Sequence, residues 1–259
     1  MVIRAECANL SISPGSHFSI NSLQGMKASS ENQYFAFSAI WFILIVFWGF
    51  APSFYLSKYF DNPEPLPIHL VVHGISFTLW VLLYAVQVFL IRVKNYKTHM
   101  TLGILGVVIM AAMVPTGLFP VVYKAYAGTN TVDAAGHNVF RLLSAYLLFV
   151  LAFAYRKKAF LHKRLMLGCM VMCTSAAIFR VSFDLQLNES QLFNKGVQMF
   201  PALVLFALDW AKRKKAVWVD LVSPILVLGI FFLADYFWLS PIGAGFMDIL
   251  VAIFVKPFL

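Results

Sequence analysis

The chain is 259 residues long, 61% hydrophobic and only 12% charged, with 26 phenylalanines and a net charge of +9. So little charge excludes an ordinary soluble domain of this size and indicates a polytopic membrane protein. The positive excess sits in short connectors between apolar runs, which is a topology signal; the expected partner is the lipid bilayer, not nucleic acid.

Residues 1–33 are rich in Ser and Asn and lack the basic start, apolar run and small-residue cleavage site of a signal peptide. They are expected to form a polar N-terminal tail ahead of a transmembrane helix-bundle domain over 34–259, with its core at 67–185. A span needs about 20 apolar residues, because hydrocarbon offers the backbone no partner outside the helix. The first run, about 34–56, carries no ionisable acid or base other than tyrosine. A proline-rich acidic connector, Asp61 to Pro67, stops it and starts the next helix.

The second run, about 67–91, carries His69, His73, Trp80 and Gln87. The third, about 101–123, contains Pro115, where a kink is expected. The fourth, about 137–155, includes Arg141, and the fifth, about 162–183, includes Cys169, Cys173 and Arg180. The sixth, about 193–211, is weaker, bracketed by Lys195 and Asp209. The seventh, about 217–239, holds Asp220 and Asp235, and the last, 242–258, is a short span or a re-entrant segment. The expected fold is an all-α bundle of seven or eight transmembrane helices.

The connectors at 92–98, 156–164 and 212–215 hold twelve Lys and Arg and no acid, whereas Asp61, Glu64, Asp133 and Glu189 fall in the alternate connectors. The positive-inside bias places the first set, and the N-terminus with it, in the cytoplasm of a cell whose inner or plasma membrane holds the protein. One layout then occurs twice: His73, an apolar run, a basic connector and His99; His137, an apolar run, a basic connector and His162. Two histidines fall toward each membrane face. Repeats in membrane proteins often place a site at their interface.

Ionisable groups inside hydrocarbon usually face the bundle interior, pair, or serve a function. His69 and His73, His137 and Arg141, and Arg180 and Asp184 are each spaced i, i+4 on one helix face. One expectation is a transporter or small-ligand-binding protein with an outward polar cavity, in which His69, His73, Arg141, Arg180 and Asp235 hold an anionic or proton-coupled ligand; the alternative for the same groups is structural ion pairs, Arg180–Asp184 and Arg141–Asp235, with the histidines donating to carbonyls. The leading expectation is b-type haem for transmembrane electron transfer, with His73 and His137 as one axial pair and His99 and His162 as the other, and the ligand-binding cavity is its alternative. A third is a structural or assembly subunit of a larger membrane complex, with no cofactor.

The spacing of His69 and His73 also suits a metal, with His137 as a third ligand, although the glutamate of a metalloprotease is missing. His162, Met166, Cys169, Met170 and Cys173 form one helical stripe whose soft ligands suit copper, less favoured than haem because Met and Cys often fill packing space. His99 and His162, each beside Lys or Arg, also suit a basic interfacial belt. Three cysteines, with Cys7 in the polar tail, make no disulfide framework, and no nucleophile or catalytic motif is present.

Two segments carry a resemblance. HGISFTLWVLLYAVQVFLIR with the later HMTLG, and HKRLMLGCMVMCTSAAIFR, resemble a family of uncharacterised bacterial multi-pass membrane proteins over about residues 35–240. The positions so marked are His73, Trp80, Gln87, His99, His162 and Arg180. The histidine layout is also similar to the ascorbate-reducible two-haem transmembrane cytochromes, which implies haem pairs between the second and fourth and between the third and fifth helices. The hairpin spacings are shorter here, and none of that family's substrate-site motifs is present. The HKRLM segment also resembles small four-helix proteins that help mature haem–copper oxidases.

Overall fold

A computed structural model describes the backbone of residues 20–60 and 65–258. Among these residues the fold is all-helical, with no strand. The first helix, α1, spans Ile20–Phe50 and continues into a π-helical turn at Ala51–Tyr55 and a short 3-10 turn at Ser57–Tyr59. Then come α2 (Ile68–Arg92), α3 (Tyr96–Tyr126), α4 (Val132–Ala154), α5 (Ala159–Cys173), α6 (Ser175–Asp184), α7 (Gln191–Arg213), α8 (Val222–Trp238) and α9 (Pro241–Phe254). Residues 1–19 of the expected tail, and Asp61 and Glu64 of the acidic connector, lie outside the described residues.

Among the described residues, five segments are long and apolar enough to cross a membrane: Glu31–Tyr55, α2, α3, α4 and Trp218–Trp238. The α5–α6 pair, bent by 46°, makes a sixth if it is one span. Within α7, Asn194, Gln198 and Asp209 are buried, so its polar groups turn inward and lower its hydropathy. At 14 residues, α9 is about 21 Å long at ~1.5 Å per residue, short of a bilayer core of about 30 Å.

Local chemistry sets several boundaries. Asn95 caps α3 by accepting from the Thr98 amide at 3.2 Å, and Ser190 caps α7 by accepting from Phe193 at 3.2 Å. Lys94, Gln186 and Lys214 take left-handed backbone just past the ends of α2, α6 and α7, which turns the chain back. Helical backbone begins at Ile20, ahead of the first apolar run, and Glu31 binds Lys163 and Arg164 on α5. The α3 helix is uninterrupted through Pro115 and Pro120.

The helix pairs α2–α3 and α4–α5 share the most extensive contacts; α1 packs on α2 and α6, and α8 and α9 lie against α4 and α3 respectively. Close approach depends on missing side chains. A Cβ at Gly49 would sit 2.3 Å from the Ala177 carbonyl oxygen, and one at Gly136 would sit 2.2 Å from the Trp238 ring. Small residues let helix axes approach in this way. The basic connectors at 93–95, 155–158 and 214–217 close one end of the bundle. The turns at 127–131 and 185–190 close the other, called here the turn end.

Candidate functional site

A cavity of about 310 Å³ lies toward the turn end, bounded by the π-helical turn and by α2, α3, α4 and the α5–α6 break. Its charged lining groups are Arg141, half-buried, and Lys124 and Arg180, both exposed; His73, Asn138, Ser53, Tyr55, Asn130 and Ser175 add further polar groups, and among the described residues it is lined by no Asp or Glu. A cation within a helix bundle is costly unless it is paired, hydrated or occupied by a ligand.

Neither guanidinium has a carboxylate partner among the described residues. Arg141 donates to Asn138 Oδ1 at 3.2 Å, one turn back on α4. Arg180 donates to the Ala176 carbonyl at 3.3 Å, and its guanidinium lies 4.5 Å from the Phe50 ring centroid. The expected Arg180–Asp184 bridge is not formed, and Asp184 is exposed. The expected Arg141–Asp235 bridge is replaced by His137: its Nε2 lies 2.6 Å from Asp235 Oδ1 on α8. His137 and Arg141 share one face of α4 but lie one turn apart along it, so His137 meets Asp235 while Arg141, one turn further in, lines the cavity.

The walls follow from local structure. The π-helical turn inserts an extra residue per turn and sets Phe54 against Gly74, where a Cβ would meet the ring at 2.6 Å. Gly117 leaves room for His73, whose ring would lie 3.2 Å from a Cβ there. His73 stacks on Phe77, and its Nδ1 is buried without a partner. At the break, the Thr174 hydroxyl donates to Met170 and Val171, at 3.1 and 3.2 Å, and Gln198 Nε2 donates to the Val171 carbonyl at 3.1 Å. Those bonds brace the break, and the first turn of α6, at Ser175 and Ala176, lines the cavity.

The other expected site residues fall elsewhere. His69 packs on Phe119 and Tyr123. His69, His73 and His137 are not gathered as a metal set, and among the described residues no three or more His, Cys, Asp or Glu side chains are grouped to hold a metal ion. His73 lines the cavity, and His137 binds Asp235. His99 and His162 do meet, with ring centroids 6.3 Å apart and planes at 85°. His162 Nδ1 is 2.9 Å from the Ala152 carbonyl, while His99 Nδ1 is buried without a partner. Beside them, neither amide atom of Gln87 has a partner. Trp80 is fully buried edge-on to Phe149, its indole nitrogen also unpartnered. Cys169 and Met170 are core residues, while Cys173 reaches the cavity wall.

One polar cluster is absent from the sequence expectations. Arg164, 2% exposed, binds Glu31 of α1 at 2.8 Å, Asp220 at 3.0 Å and Asp209 of α7, with Phe160 stacked under its guanidinium at 3.8 Å. Lys163 also binds Glu31, at 2.9 Å, and Arg213 binds Asp209, at 2.9 Å. The sequence signal was available in Asp209 and Asp220, two acids in apolar runs that had no assigned cation. The network ties α1, α5, α7 and the start of α8 together at the basic end.

Searches of known protein families, curated proteins and solved structures give no match to the chain.

Proposed function

We propose that this protein is a multi-pass membrane protein that binds, and carries across the membrane, a small anionic ligand through the cavity at its turn end. The observation that carries the reading is the cavity's charge: Lys124, Arg141 and Arg180 line it, and no described Asp or Glu does. Pockets that orient a small ligand are mostly apolar with a few convergent polar groups. The basic network around Arg164 closes the opposite end, as a carrier open to one side requires.

In this reading seven segments span the inner or plasma membrane, with α7 included because its polar face turns inward. The end bearing the basic connectors faces the cytoplasm, together with the N-terminus, by the positive-inside bias. The cavity then opens outward. Uptake of a radiolabelled carboxylate into proteoliposomes tests the reading. Uptake that falls at least tenfold in Arg141→Gln and Arg180→Gln supports it; equal uptake by wild type and both variants contradicts it.

A second reading keeps b-type haem, confined to His99 and His162, whose rings lie 6.3 Å apart. The space beside Gly168 is occupied, with Leu148 and Ser223 each 3.4 Å from a Cβ position there. A Soret band in haem-replete protein that disappears in His99→Ala and His162→Ala supports this alternative; its absence in wild type removes it.

A further inference from the structure

The cavity is divided by depth. Measured along the helices from the turn end at ~1.5 Å per residue, Lys124 is about 3 Å in, Arg180 about 6 Å and Arg141 about 13 Å. Met113 and Met172 lie about 18–20 Å in, beyond every lining cation. Phe50, Phe54 and Phe77 complete an apolar wall alongside the charged groups. A bare inorganic anion would satisfy the guanidiniums and leave this deep apolar part filled with poorly bonded water. An uncharged apolar molecule would fill the depth and leave Arg141 unpaired. Only a molecule with both parts complements the whole cavity.

We propose that the occupant is an anionic amphiphile: a carboxylate or phosphate monoester on a single apolar chain of about eight carbons. Its head lies among Arg141, Arg180 and Lys124, and its chain reaches toward Met113 and Met172. The volume sets the length, since a cavity of about 310 Å³ takes roughly ten water-sized groups at ~30 Å³ each. The phenyl ring of Phe50 under Arg180 is part of the design, since it holds the guanidinium at the wall while leaving its remaining N–H groups for the head group. This inference rests on the anion-binding reading and adds the second half of the ligand.

The test is a titration of the full-length protein in phosphatidylcholine nanodiscs with acetate, butyrate, hexanoate, octanoate and octyl phosphate, and with octylammonium as the charge control. Affinity is expected to rise about fourfold per methylene, the burial value for one CH₂ group. Octanoate is expected to lose at least tenfold in Arg141→Gln or Arg180→Gln. Met113→Trp is expected to shorten the optimum chain, and Met172→Phe gives the same readout if the first variant folds poorly. Equal affinity for acetate and octanoate, with dependence on both arginines, would overturn the amphiphile and leave the anion site standing. Octylammonium binding as well as octanoate, or no arginine dependence, would overturn both. Repeating the series in phosphatidylglycerol discs fixes the source: competition there identifies a bilayer lipid, and unchanged affinity identifies a water-soluble amphiphile.

Discussion

Arg164 Nε lies 3.0 Å from Asp220 Oδ1, with both side chains fully out of contact with solvent. A buried pair of this kind contributes little net stability beside a well-packed apolar replacement, but removing one partner leaves a charge stranded. Arg164→Ala is therefore expected to destabilise the protein by about 3–5 kcal/mol. Thermal unfolding in detergent checks this. Restoring stability by adding Asp220→Asn and Asp209→Asn to Arg164→Met would locate the cost in stranded charge, not in lost packing.

His137 and Asp235 form a different kind of pair. Asp235 is more than half exposed, so water screens it, and such pairs are typically worth about 0–1 kcal/mol. Asp235→Asn is expected to change stability by less than about 1 kcal/mol and to leave anion binding unchanged. A binding loss equal to that of Arg141→Gln would show that His137 faces the ligand after all.

The break between α5 and α6 is held by Gln198 and Thr174. Gln198→Leu removes one of the two side-chain donors to the Val171 carbonyl and leaves the Thr174 hydroxyl in place, a loss of about 0.5–1.5 kcal/mol. Because the break shapes the cavity wall, ligand affinity is expected to fall along with the melting temperature. A variant that loses stability while keeping full affinity would separate the break from the site.

Gly136 receives the indole of Trp238, with no room for a methyl group. Gly136→Ala forces α4 and α8 apart and is expected to cost about 1–3 kcal/mol, as overpacking does. Trp238→Leu should relieve part of that cost, and a double variant no better than Gly136→Ala alone would contradict the contact.

The sequence was most informative where one periodicity decides the outcome. Apolar runs of membrane length became α2, α3 and α4 within a few residues of their expected limits, because a bilayer-length helix leaves little freedom. The candidate site was legible in part: His73, Arg141 and Arg180 do line one cavity. Their partners were not legible, because spacing along one helix cannot fix its rotation against the next. Asp184, one turn from Arg180, remains exposed, and Asp235 meets His137 instead of Arg141. For the same reason Asp209 and Asp220 stood in the sequence as acids without a cation, and their meeting at Arg164 with Glu31 is set only by how α1, α5, α7 and the segment before α8 pack. Glu31 belongs to the polar tail by composition, and its cations on α5 become visible only in the fold.

Equilibrium binding of carboxylates to the protein in nanodiscs, at low and high salt, tests the anion cavity most directly. Carboxylates are expected to bind and the matching amines not to, with affinity weakened by salt and reduced at least tenfold in both Arg141→Gln and Arg180→Gln. Amines that bind as well as carboxylates, or arginine variants that bind as wild type does, would contradict it.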